Sequence, residues 1–150
     1  GAMRGVMVPG LYNGCAQNAV EISMTVDKQY EIKVAAEVAY LDDQSDPEKD
    51  EYVFAYTMTV TNTGNVAAKL VSRHWIITDG DQHVQEVKGL GVVGQQPLLK
   101  PGESFEYTSG ASIPTQVGTM RGAYQMVADD GHTFNADIPQ FTLSVPRTLH

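Results

Sequence analysis

The stretch YVFAYTMTVTN, residues 52–62, constrains the fold of this chain more than any other segment. Large apolar side chains recur at every second position within it: Tyr52, Phe54, Tyr56, Met58 and Val60. Successive side chains of a β-strand point to opposite faces, so this alternation predicts a strand that is buried on one face and excludes a helix. The fold is therefore expected to be built from β-sheets.

Other segments show the same period, or the turns that join such strands. Residues 32–40 alternate in the same way, and residues 66–78 are apolar on parts of both faces, which predicts a strand in the middle of a sheet. The alternation slips between Val71 and Ile76, which predicts a β-bulge, and Asp79-Gly80 predicts a tight hairpin turn. No segment has a helical period. We predict an all-β fold, an antiparallel β-sandwich.

Length and charge limit the domain organisation and the binding partners. The 150 residues fit one domain, and we place the β-sandwich domain at 26–150. Residues 1–25 are rich in Gly, Asn and small side chains and are predicted to be an N-terminal tail, with Gly1-Ala2 interpreted as a remnant of tag removal. The formal net charge of -8 repels phosphate backbones, so nucleic-acid binding is not expected.

The expected cellular location depends on whether the sequence contains a membrane span or a signal peptide. No apolar run approaches the roughly 20 residues of a membrane span, so no membrane insertion is expected. Pro9 and Asn13 interrupt the apolar stretch near the N-terminus, which argues against a signal peptide. A single cysteine, Cys15, excludes an intrachain disulfide and suits a reducing compartment. A cytoplasmic location is expected.

Residues 89–94, GLGVVG, match the spacing G-x-G-x-x-G of dinucleotide-binding loops through Gly89, Gly91 and Gly94. That function needs a helix that begins inside the motif and an acidic residue about 20 positions later. Pro97 and Pro101 follow too closely for a helix to form. Without the helix N-terminus there is no aligned set of N–H groups for a pyrophosphate, so we reject the dinucleotide interpretation.

Two interpretations of these glycines remain open. They can permit positive φ or close packing against a neighbouring backbone. Alternatively, bare N–H groups of the loop form a nest for an anion, with Lys88 beside it and Arg73 approaching from the neighbouring strand. Val92 and Val93, apolar in a loop, favour a surface for a partner protein equally well.

Two clusters mix carboxylates with an imidazole, the donor types that transition metals such as cobalt accept. Asp79, Asp81 and His83 form the first, in TDGDQHV, and the second lies in ADDGHTF at residues 128–134. Asp-Gly is also ordinary turn chemistry, and neither cluster has the H-E-x-x-H or C-x-x-C spacing of an established metal site. We therefore predict no metal site and keep the first cluster as a secondary candidate.

The sequence contains no recognisable catalytic arrangement. No serine lies in a G-x-S-x-G elbow, so we predict neither an enzyme nor a cofactor. Arg73 and Trp75 share one face of their strand by parity. If that face is open to solvent, they are the residue types that dominate protein interfaces.

The order of these segments resembles the ApaG family of small bacterial proteins. The resemblance rests on YVFAYTMTVTNTG, RHWIITDGD, VKGLGVVGQQPLLKPGESFEYTSG and GTMRGAYQMVADDG, and it runs from about Tyr30 to His150. It implies a fibronectin-III or immunoglobulin-like sandwich and no established enzymatic activity. It also implies an indirect genetic link to cobalt resistance and magnesium efflux. Related domains occur in some eukaryotic F-box and polymerase-interacting proteins, where a protein-binding role is proposed.

The sequence thus predicts a non-enzymatic module that binds an unknown protein partner, as a monomer or a weak homo-oligomer. The predicted binding residues are those of the glycine motif and of the strand beside it: Gly89, Gly91, Gly94, Val92, Val93, Arg73 and Trp75. The alternative is a module that holds phosphate or pyrophosphate on the loop amides, a ligand that the family resemblance also suggests.

Overall fold

Nine β-strands form nearly all the regular structure of residues 2–5 and 29–146, the part of the chain that this computed structural model describes. The strands are β1 (Ala2–Gly5), β2 (Ile32–Tyr40), β3 (Tyr52–Asn62), β4 (Ala68–Asp79), β5 (Val84–Leu90), β6 (Leu98–Leu99), β7 (Glu103–Ile113), β8 (Val117–Ala128) and β9 (Thr133–Ser144). Short 3₁₀ turns at Asp42–Gln44 and Pro47–Lys49 complete them. No helix within these ranges is long and apolar enough to cross a membrane.

The predicted N-terminal tail falls mainly outside the described residues, and so does Cys15. Its described part, Ala2–Gly5, is the short strand β1, which pairs antiparallel with β7.

The strands form two sheets in which every pairing is antiparallel. One sheet has the order β1-β7-β3-β2, and the other has the order β5-β4-β8-β9, with β6 also beside β4. The first sheet therefore has four strands and the second has five, and together they form an antiparallel β-sandwich. The predicted all-β sandwich is confirmed.

The core lies between the sheets and follows the parity of the sequence. Along β3 every second side chain is buried and those between are half-buried, as the alternation in residues 52–62 predicts. Trp75 of β4 sits at the centre, with its ring edge-on to Tyr56 (5.3 Å between centroids) and to Phe141 (5.9 Å). Such edge-to-face contacts between rings stabilise a core beyond the area that they bury.

A bulge in β4 turns one of its carbonyl groups toward the loop that follows β5. The register of β4 against β8 shifts between Leu70 and Ser72, which leaves Val71 as the extra residue. The Val71 carbonyl accepts hydrogen bonds from the Gly91 N–H (2.7 Å) and from the Gln96 side-chain amide (2.9 Å). The bulge therefore holds the GLGVVG segment against β4.

Candidate functional site

The end of the GLGVVG segment is a two-residue hairpin. Val92 and Gln95 exchange two backbone hydrogen bonds, of 2.8 and 2.9 Å. Between them, Val93 has φ 42° and Gly94 has φ 79°. Positive φ at both central residues is the geometry of a type I′ turn, where Asn and Gly are the usual residues. A β-branched residue at positive φ is strained, so the conformation of Val93 is an outlier.

Each glycine of the motif has its own conformational or packing reason, and no helix follows them in residues 95–146, which the structure describes. Gly91 has φ 63°, and a Cβ there would lie 2.3 Å from the Gln95 carbonyl oxygen. Gly94 needs its positive φ but faces open space. Gly89 lies under the guanidinium of Arg73, which a Cβ would approach to 2.8 Å. Backbone conformation and packing therefore account for the G-x-G-x-x-G spacing.

Arg73 is directed at carbonyl groups of the loop. Its Nη1 donates to the carbonyl oxygens of Leu90 (3.0 Å) and Gly91 (2.8 Å). Arg73 reaches the loop from the neighbouring strand, as expected. Its Nη1 binds carbonyl oxygens of the chain itself, whereas the anion-nest hypothesis placed Arg73 beside a bound anion. Arg73 therefore fixes the shape of the loop.

The loop offers fewer free N–H groups than the anion-nest hypothesis assumed. The Gly91 N–H donates to Val71, and the Val92 N–H donates to Gln95. These two donors are saturated within the chain, and a nest needs successive N–H groups that point at one ligand.

The strand face that carries Arg73 and Trp75 is closed, because it packs into the sandwich. Trp75 is only 2% exposed and Val92 is fully buried. Neither side chain reaches the surface, so neither can contact a partner directly. Trp75 was expected to be an interface residue only if its strand face were open to solvent, and this face is covered. Parity shows which residues share a face of the strand, but it does not show which face the second sheet covers.

Around the loop, the exposed apolar side chains are those of Leu90 (75%), Val93 (49%) and Leu98 (45%). Val93 was expected from the sequence, but neither leucine was. The exposure of Leu90 could have been predicted from its position on β5. Alternate residues of a strand share a face, so Leu90 lies on the same face as the polar residues Glu86 and Lys88.

An open groove of about 470 Å³ runs beside Leu90 on the outer face of the sheet. It is also lined by Ser72, Arg73, His74, Lys88, Gly89 and Gln125, so it spans β4, β5 and β8. The Ser72 hydroxyl donates to the Gln125 side-chain oxygen at 2.7 Å, and His74 Nε2 lies 3.7 Å from Glu86 Oε2. The sequence alone does not reveal this groove, because its residues converge only when three strands pair.

The first candidate metal cluster closes a turn. The ligand atoms of Asp79, Asp81 and His83 lie within 4.8 Å of one another. Among the described residues, no other three His, Cys, Asp or Glu side chains come together in this way. However, Asp79 Oδ1 accepts the N–H groups of Asp81 (2.8 Å) and His83 (3.1 Å). Burial acts to raise the pKa of Asp79, but those two N–H groups and the nearby His83 imidazole bring this pKa below its usual value.

The second cluster, Asp129, Asp130 and His132, does not bring its ligand atoms together. Asp130 Oδ1 accepts the His132 N–H at 3.0 Å, and Asp130 Oδ2 accepts the Tyr30 hydroxyl. The His132 ring stacks on Tyr30 with 4.1 Å between centroids. The turn before β9 is thereby joined to the residues that precede β2.

Comparisons with known proteins agree with this geometry. The ApaG domain model matches residues 42–128. Protein ApaG of Thiobacillus denitrificans is 64% identical over 127 residues, and the match covers 85% of this chain and all of the relative; that of Nitrosomonas europaea is 63% identical over the same shares. A crystal structure of a Bordetella pertussis protein described as ApaA is 57% identical, with a TM-score of 0.78 over 81% of this chain and 98% of that one. The chain belongs to the ApaG family.

Proposed function

We propose that this protein is a non-enzymatic binding module that holds a partner protein at an apolar loop tip, formed by Leu90 and Val93. The observation that carries the proposal is the backbone of Val93, an exposed valine with φ 42°. Residues in sparsely populated backbone regions cost of order 1–3 kcal/mol and persist where the surrounding structure over-determines them. Glycine or asparagine would remove this strain, so a valine there is best explained by a use for its side chain.

The surroundings of Val93 hold it rigidly. Val92 anchors the turn in the core, and both backbone bonds of the Val92–Gln95 pair are formed. Arg73 binds two carbonyls just before the turn, and Gln96 binds Val71 just after it. A tip that is already ordered loses little conformational entropy when a partner docks. In this proposal the buried Gly91 and Val92 shape the surface, Gly94 permits the turn, and Arg73 and Gly89 also line the groove beside Leu90.

The chemistry of the surface suits a small protein contact. Leu90 and Val93 are about three-quarters and one-half exposed, and the exposed polar residues Lys88 and Gln95 lie next to them in the chain. An apolar centre with a polar rim is the usual arrangement of a protein–protein contact. The groove beside Leu90 gives a partner side chain a place to insert.

The test compares Val93→Asn with Val117→Asn, a control at another exposed valine of similar exposure, 46% against 49%. Each protein is immobilised and exposed to a bacterial lysate, and any retained protein is then titrated directly by calorimetry. We expect Val93→Asn to abolish binding of a protein that the wild type and Val117→Asn both bind. We also expect it to raise the free energy of unfolding by about 1 kcal/mol, because the strain is relieved. Unchanged binding by Val93→Asn would contradict the proposal.

Anion binding is the second candidate, and one observation favours it. Lys88 and Arg73 line the groove next to the loop, so two cationic side chains border one open space. Pyrophosphate is titrated into labelled protein while backbone amide shifts are followed. Saturable shifts at Val93 and Gly94 that Lys88→Gln removes would favour an anion over a protein partner.

The same proposal includes a cytoplasmic location and an indirect effect on cobalt resistance and magnesium efflux, exerted through the partner. Family membership supports this part. Strains that lack the gene are complemented with wild type, Val93→Asn or Val117→Asn and grown on cobalt. Restoration by the wild type and the control, but not by Val93→Asn, is the expected result.

A further inference from the structure

We propose that two copies of this chain pair through their β5 strands, so that the sheets of strand order β5-β4-β8-β9 join into one continuous sheet about a twofold axis. β5 is the first strand of the order β5-β4-β8-β9, and no strand of the described residues pairs with its outer side. An unpaired edge presents a row of N–H and C=O groups that a further strand can bind. The pairing does not involve Val93, but it uses Leu90, which also belongs to the proposed loop tip.

The register of β5 against β4 shows which backbone groups face outward. Thr78 pairs with Val84, which places Asp79 opposite His83, and the Asp79 N–H donates to the His83 carbonyl at 3.0 Å. Hydrogen-bonded and non-bonded pairs alternate along antiparallel strands, so Gln85, Val87 and Gly89 bond to β4. The residues whose N–H and C=O groups point away from β4 are Val84, Glu86, Lys88 and Leu90.

The sequence of β5, VQEVKGL, is complementary to itself when it is read antiparallel about Val87. In that register Val84 faces Leu90 of the second copy, and Glu86 faces Lys88 of the second copy. Both apolar residues are exposed in the single chain, Val84 at 62% and Leu90 at 75%. The axis passes between the two Val87 residues, and the outward-facing groups of Glu86 and Lys88 meet as a hydrogen-bonded pair.

The charges select this register over its neighbours. An axis through Glu86 would set two glutamates against each other, and an axis through Lys88 would set two lysines against each other. Opposite charges directly across a strand pair are stabilising and like charges are destabilising. Charged side chains on an edge also discourage pairing with unrelated strands. Glu86 and Lys88 therefore protect this edge while still matching a second copy.

The association is expected to be weak, because only seven residues of each chain take part and both copies carry a net charge of -8. Sedimentation velocity of the full chain from about 10 μM to about 1 mM, at about 0.15 M salt, measures it. The variants are Glu86→Lys, Lys88→Glu and the double exchange Glu86→Lys/Lys88→Glu. Each single variant places like charges opposite each other, and the double exchange restores opposite charges.

We expect a concentration-dependent dimer that each single variant weakens by about tenfold and that the double exchange restores. Val93→Asn, which tests the loop tip, should leave self-association unchanged, so the two proposals can fail separately. A monomer at every concentration would overturn this proposal. A dimer that the single variants do not weaken, or that the double exchange does not restore, would do so as well.

A second measurement does not depend on any variant. In a sample that mixes isotope-labelled and unlabelled chains, a filtered spectrum detects contacts between copies only. Facing residues of a non-bonded antiparallel pair have Cα atoms about 4.5 Å apart, so the Val87 Hα atoms of the two copies should show a strong contact. Its absence from a sample that contains dimer would place the interface elsewhere and overturn the proposal.

Discussion

The hydroxyl groups of Tyr107 and Tyr124 lie 2.7 Å apart and share a hydrogen bond inside the core. Tyr107 belongs to β7 and Tyr124 to β8, so this bond joins the two sheets. Both side chains are buried, and each hydroxyl depends on the other to satisfy its polarity.

The tyrosine pair therefore predicts a non-additive stability effect. Tyr107→Phe or Tyr124→Phe alone leaves one buried hydroxyl without its partner and should lower the free energy of unfolding by about 1–3 kcal/mol. The double variant removes both polar groups and should cost less than the sum of the two. Urea unfolding of the four proteins measures the coupling, and strictly additive losses would show that the bond contributes nothing.

The same pair predicts a loss of stability at alkaline pH. Burial raises the pKa of both phenols above their usual value, so the folded state keeps protons that the unfolded chain releases above about pH 10. Their contribution is therefore fully present below about pH 10 and is lost as the pH rises beyond it, by up to about 1.4 kcal/mol per pH unit for each tyrosine. Urea unfolding between about pH 8 and pH 11 measures the slope. In Tyr107→Phe/Tyr124→Phe this slope should largely disappear.

Alanine should be tolerated very differently at Gly91 and Gly94. At Gly94 only the positive φ opposes a side chain, so Gly94→Ala should cost about 1 kcal/mol. At Gly91 the Cβ also meets the Gln95 backbone oxygen, which cannot move without opening the turn, so the loss should exceed about 2 kcal/mol. Chemical denaturation provides both values. Equal losses would contradict the assigned loop geometry.

Gly89 and Arg73 should behave as one unit. A methyl group at Gly89 displaces the guanidinium, and Arg73→Met removes its bonds to Leu90 and Gly91. Each variant should therefore cost about 1 kcal/mol, and the double variant should cost little more than either one. A double-mutant cycle in urea tests this, with Lys69→Met on the exposed side of β4 as a control that changes a cation elsewhere.

Asp79 should make the stability fall in acid. Burial opposes its ionisation, but the N–H groups of His83 and Asp81 outweigh this and hold its pKa below the usual value. Because the pKa of Asp79 is lower in the folded state than in the unfolded chain, its ionised carboxylate stabilises the fold above about pH 4. This stabilisation is lost as the pH falls through the pKa of the folded state. Asp79→Ala should therefore lower the melting temperature more at neutral pH than in acid. A difference that does not change with pH would rule out this role for the carboxylate.

Much of the fold was predictable because it follows from local geometry. The alternation in residues 52–62 matches the buried face of β3 residue by residue, and the bulge at Val71 lies at the start of the slip that was predicted between Val71 and Ile76. The prolines after Gly94 correctly excluded the helix of a nucleotide-binding motif. These features depend on the period of a strand and on the conformations that proline permits, which are properties of the covalent chain.

The candidate site was less predictable, because its contacts join residues that are distant in sequence. Parity placed Arg73 and Trp75 on one face, but only the packing of the two sheets shows that this face is the core. Arg73 was expected near the loop, yet only the register of β4 against β5 shows that it binds carbonyl oxygens.

The sequence by itself thus determined most of the strands, several of their turns and the sandwich class, because a period of two and the turn residues act over a few neighbouring positions. It did not show that Ala2–Gly5 forms a strand. The tertiary structure alone decided that Trp75 and Val92 are buried, that Val93 is presented at a strained turn, and that β5 forms an edge. The reason is physical: burial and exposure depend on which sheet covers which face, and that choice is made by contacts between segments far apart in the chain.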